Sequence, residues 1–92
     1  MKETERQGAV REELRGAVEV ALAGDWQRAH EVAQKHEHDA TACWLHAVVH
    51  RIEGDLANAR YWYGRCGRTL REGVTSDAEL REIRATLDQA SS

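Results

Sequence analysis

An all-α fold is predicted by three features of the 92-residue sequence. There is no proline, the residue most disruptive of helix interiors. Apolar residues return at spacings of three and four, and nowhere do β-branched or aromatic residues alternate with polar ones over a strand's length. The dipeptides Gly24-Asp25 and Gly54-Asp55 then divide the pattern into segments of helical length.

The first segment, about Thr4 to Ala23, places Val10, Leu14, Ala17, Val18, Ala21 and Leu22 on one face of a long helix. Gly24-Asp25 ends it, and Asp25 can accept from the free amides of the next helix. That second helix runs to about Lys35 and turns Trp26, Ala29, His30 and Ala33 to one side. A polar connection, His36 to Asp39, precedes a third helix from about Ala40 to Glu53. A fourth is expected from Asp55 to about Arg65, weakened or ended by Gly64 and Gly67. After a loop, Ser76-Asp77-Ala78-Glu79 has the spacing of a capping box, with Leu80, Ile83 and Leu87 as a narrow apolar stripe. This last helix is expected to lie as a lid on one exposed end. Residues 88–92 carry nothing to hold them and are expected to fray.

Composition sets bounds on function. The length suits one domain, 1–92, small enough that dimerisation would be a natural supplement to its stability. Lys and Arg nearly balance Asp and Glu, for a formal charge of -3, which argues against a general nucleic-acid binder or a polybasic membrane binder. Charging all five histidines would reverse that sign. No apolar run reaches the roughly 20 residues of a membrane span, and the charged start is unlike a secretory signal. A cytoplasmic address is therefore expected, with Cys43 and Cys66 as thiols or ligands before a disulfide.

Internal repetition is the strongest organisational signal. ALAGDWQRAH, Ala21 to His30, superposes on RIEGDLANAR, Arg51 to Arg60, matching Gly24 to Gly54, Asp25 to Asp55, Trp26 to Leu56 and Ala29 to Ala59. The element G-D-aromatic-x-x-A resembles the inter-helix turn of tetratricopeptide-type repeats. That resemblance implies two antiparallel helical hairpins, about 10–36 and 40–67, offset by 30 residues and followed by a capping helix over about 76–90. Repeat arrays of this kind bind proteins or peptides in their grooves. The departure is in the third helix, where Cys43, His46, Ala47 and His50 stand at positions expected to be large and apolar or small. The run from His46 to Arg65, with His50, Arg51, Glu53, Gly54, Asp55, Asn58, Ala59, Tyr61, Trp62 and Tyr63, is also similar to a group of short bacterial and fungal hypothetical proteins. No activity follows from that likeness, which marks Cys43 to Arg68 as one unit.

At 100° per residue, Cys43, His46, His50 and Glu53 fall within about 80° of one another on the third helix. His46 and His50, at i and i+4, can converge on one metal ion, with His30 or Cys66 as third ligand. Three histidines with an open position suit zinc, iron or manganese, and metal-bound water would then give a hydrolytic or hydration site. In that reading Glu53 supports a ligand or acts as base, and Glu53 and His50 are the catalytic candidates. The competing reading makes the same histidines a hydrogen-bonded polar layer that fixes helix register.

Other motifs fall short. His30-Glu31 opens like H-E-x-x-H, but position 34 is Gln34. The tract His36, Glu37, His38 and Asp39 has chelating residues on a loop, where solvation is the ordinary state. A Cys43–His46 pair lacks oxyanion donors. Tyr61 and Arg65, with Arg60, Arg68 and Arg71 nearby, are candidates for holding an anionic small molecule, against a solvated basic face paired with nearby acids. Glycine-rich phosphate loops are absent. Two functions emerge as expectations: a small helical binding module carrying a divalent metal, or a metal-dependent or His/Glu acid–base hydrolase.

Overall fold

Five helices and no strand make up the described part of the chain, residues 2–89 of a computed structural model, with side chains described from Gln7 onward. They are α1 (Lys2–Leu22), α2 (Trp26–Lys35), α3 (Ala40–Glu53), α4 (Leu56–Arg65) and α5 (Ser76–Gln89). The all-α class is as the sequence predicts, with boundaries within two residues of those expected.

The Gly-Asp dipeptides end one helix and begin the next by the same set of bonds. Gly24 has φ 104° and Gly54 has φ 91°, left-handed values that a side chain would strain. The Asp25 amide then donates to Val20 O at 2.8 Å, and the Asp55 amide to His50 O at 2.9 Å, closing each helix with a bond that reaches back five residues. Each aspartate also caps the succeeding helix: Asp25 accepts from the Arg28 amide at 3.2 Å and Asp55 from the Asn58 amide at 3.3 Å. The turn after α2 is longer, and there Asp39 accepts from the Ala42 amide at 2.9 Å to start α3.

α3 is the centre of the molecule. Every residue from Ala42 to His50 is buried, the two histidines included, because helices pack around α3 on several sides. α2 and α4 pack against it, α5 lies against both α1 and α3, and α1 packs on α2. Ala29 and Ala33 of α2 and Ala59 of α4 are fully buried, so small side chains bring the neighbouring helices close to α3.

Two expectations for α5 are corrected. Its cap is Thr75, whose Oγ1 accepts from the Ala78 amide at 3.0 Å, so Ser76 to Glu79 is not a capping box. Glu79 is buried instead, accepting from Trp44 Nε1 at 2.8 Å, from Tyr63 OH at 2.6 Å and from Arg51 Nη1 at 3.0 Å. A carboxylate is stable in an apolar interior when donors occupy its lone pairs, as they do here. The second correction is at the end of the chain: α5 runs through Asp88 and Gln89, and Asp88 lies 3.4 Å from Arg15 Nη2. The rest of the fraying expectation, 90–92, lies outside the described residues. No helix among the described residues is long and apolar enough to cross a membrane.

Candidate metal centre

Three imidazoles meet between α2 and α3. The turn of α2 set by its Asp25 cap, together with the contact made by Ala29 and Ala33, directs His30 toward α3. His46 and His50, one helical turn apart, stack with ring centroids 4.9 Å apart and an interplanar angle of 21°. His30 meets both edge-on, at 4.7 Å from His46 and 5.0 Å from His50. Each ring offers a nitrogen, and the three ligand atoms lie within 4.8 Å of one another, close enough that the cluster could hold a metal ion. The separation of His30 Nε2 and His46 Nε2 is 3.0 Å. Zinc–nitrogen bonds of about 2.0–2.1 Å in a tetrahedron set ligand nitrogens roughly 3.3 Å apart, close to the separation of this pair.

Burial and charge favour the neutral form of His46 and His30. His46 is 3% exposed, and its pKa falls from 6.5 to about 4, first by burial and then by the positive charge that His30, His50 and Arg65 would bring. His30 is lowered as well, by burial and by His50, against the opposing pull of Glu53 and Glu31. Neutral imidazole is the form that binds metals. One nitrogen of the pair donates to the other, but His46 Nδ1 is buried without any partner. Buried polar atoms are nearly always satisfied, but an ion on the Nε2 side would leave this Nδ1 as it is, so the orphan does not separate a metal centre from a polar layer.

Glu53 lies where it can orient a ligand. Its Oε1 is 2.6 Å from His50 Nδ1, which leaves Nε2 as the open nitrogen of that ring. Carboxylates in this position fix the tautomer and raise the basicity of metal-bound histidine. A second grouping, His50, Glu53 and Asp55, shares His50 with the first. It is poorer in free lone pairs, because Asp55 Oδ1 accepts from the Asn58 amide and Oδ2 from Asn58 Nδ2 at 2.7 Å.

α4 supplies a wall that sequence reasoning did not assign. Trp62 stacks on His46 with centroids 4.0 Å apart and an interplanar angle of 20°, and the Arg65 guanidinium stands 4.8 Å from the indole centroid. The aromatic run divides as its helical positions require: Tyr63 is buried, Trp62 half-buried, and Tyr61 is 56% exposed at the edge of Trp62. Tyr61 and Arg65 therefore both border Trp62. The other arginines have nearer partners: Arg68 stands 3.4 Å over Trp44, Arg71 lies 2.7 Å from Glu82, and Arg60 lies 3.8 Å from Glu72.

Of the two third-ligand candidates, the structure brings up His30. Cys66 instead points its thiol at Trp62 O, 3.0 Å away. In the loop tract, His36 Nε2 lies 3.2 Å from Glu13 Oε2, and no three-ligand grouping among the described residues includes His36, Glu37, His38 or Asp39. Comparison with protein-family models, with curated proteins and with solved structures finds no match for this chain.

Proposed function

We propose that the protein is a small helical metal-binding module, with His30, His46 and His50 as the ligands of one divalent cation and Glu53 as the residue that orients His50. The observation that carries this reading is the meeting of three ring nitrogens within 4.8 Å between α2 and α3. Neutral nitrogen donors of borderline softness favour zinc, with iron and manganese as the other candidates. The repeat-like hairpins, as a helical scaffold able to take a protein or peptide in its grooves or to pair with a second copy, would present this centre on a small platform.

A hydrolytic role is the second reading, and the number of ligands favours it. Three protein ligands leave a tetrahedral ion one position for water, whose pKa a catalytic zinc lowers to about 7. Within that reading the 2.6 Å contact with His50 assigns Glu53 to orientation more than to proton abstraction.

Cobalt(II) titration of the metal-free protein is the direct test, because the intensity of its visible bands reports coordination number. One equivalent with tetrahedral intensity is expected, lost in His46→Ala and in His50→Ala while the far-ultraviolet helical signal persists. Undiminished binding in either variant would sink the assignment. Ester hydrolysis that rises with zinc and disappears in the same variants would select the second reading.

A further inference from the structure

The two cysteines come from different helices and converge on one oxygen. Cys43, on α3, donates to the carbonyl of Trp62 at 3.5 Å, and Cys66, at the end of α4, donates to the same carbonyl at 3.0 Å. Both thiols are free, Cys43 buried and Cys66 half-buried. They also line a cleft of about 340 Å³ together with His38, Asp39, Arg65 and Gly67. Sulfurs gathered at the floor of an open cleft make a pair that a ligand can reach from solvent.

We propose that Cys43 and Cys66 form a two-thiol site for a soft, thiophilic monovalent cation of the copper(I)/silver(I) class, separate from the histidine cluster. Thiolate sulfur selects such ions, whereas imidazole suits zinc and iron, so the two centres differ in what they take. Binding exchanges two S–H bonds for two sulfur–metal bonds and releases two protons to solvent. Oxidation to a disulfide is the poorer use of the pair. Attack on an oxidant needs a free thiolate, and burial together with the neighbouring Cys43 sulfur pushes the Cys66 thiol up to about 12. A cation removes that obstacle by displacing the protons and offsetting the repulsion between two adjacent thiolates.

Trp62 stands between the centres, its carbonyl on the thiols and its ring on His46.

Silver(I), which does not undergo redox cycling, is the probe. Tag-free, reduced, metal-free protein is titrated with it against a competing chelator, while free thiols are counted with an aromatic disulfide. One silver per chain should mask both thiols together. Cys66→Ser should bind silver at least about a hundredfold more weakly, since the second sulfur acts as an intramolecular ligand, yet should take up cobalt(II) as the parent does. Cys66→Ala serves in its place if serine disturbs the helical signal. Two silver ions per chain, each masking one thiol, or silver affinity within about tenfold of the parent in both Cys66 variants, would overturn the proposal.

Discussion

His46 combines deep burial, an aromatic ring on one face and a ring nitrogen that finds no partner. Its pKa of about 4 in the folded chain, against 6.5 in the unfolded one, gives a stability signature with a definite sign. The unfolded state takes up the proton first as pH falls. The contribution of His46 to the stability of the metal-free protein is therefore full above about 6.5, falls between there and about 4, and is lost below, a change on the order of 2–3 kcal/mol. His30, also lowered, acts in the same direction. Urea unfolding across this range should show the fall, and His46→Asn should flatten it; an equal slope in both proteins would place its origin elsewhere. In the proposed centre Glu53 would act through His50, whose Nδ1 lies 2.6 Å from its Oε1. Glu53→Ala should lower metal affinity by about 10–100-fold without changing stoichiometry, the usual effect of removing a carboxylate behind a histidine ligand. An unchanged affinity would remove Glu53 from the centre.

At the scale of elements, α3 decides what the sequence could reveal. Its histidine row was legible because i and i+4 spacing is a local property of one helix, and His30 was legible because the matching Gly-Asp turns set the register of α2. Trp62 was harder to read. Its helical position predicts burial, but which side chain it stacks on depends on how α4 lies against α3. Glu79 was misread for a related reason. Its spacing from Ser76 satisfies a capping box, while the donors that claim it, Arg51 and Trp44, stand 28 and 35 residues away in sequence. Long-range pairing of this kind leaves no periodic trace. The cluster ties α5 to α3 and α4, and removing the carboxylate leaves Arg51, whose side chain is only 12% exposed, with the Val74 carbonyl but no counter-charge in the cluster. Glu79→Ala should then cost about 3–5 kcal/mol, read as a lower urea midpoint at unchanged m-value. A loss below about 1 kcal/mol would mean that the cluster contributes little to holding α5.

For the molecule as a whole, the all-α class was written in periodicity and punctuation, whereas the packing of the other helices around α3 was not. Small domains bury a limited share of their surface, so an ion shared by α2 and α3 would contribute a substantial part of the stability. Zinc at a hundred times its dissociation constant stabilises by about 2.7 kcal/mol. In a domain of this size that corresponds to a rise in Tm on the order of 10 °C, which differential scanning calorimetry would resolve. The same rise in a His46→Ala/His50→Ala double variant would contradict an origin in the cluster.

The measurement that bears most directly on the centre is the metal content of the tag-free protein, purified without metal-affinity resin, by elemental analysis. The account predicts about one equivalent of zinc, iron or manganese per chain, absent from the His46→Ala/His50→Ala double variant that keeps its helical signal. A metal-free protein that also fails to take up added zinc, iron or manganese would contradict it and leave the three imidazoles as a structural layer of the fold.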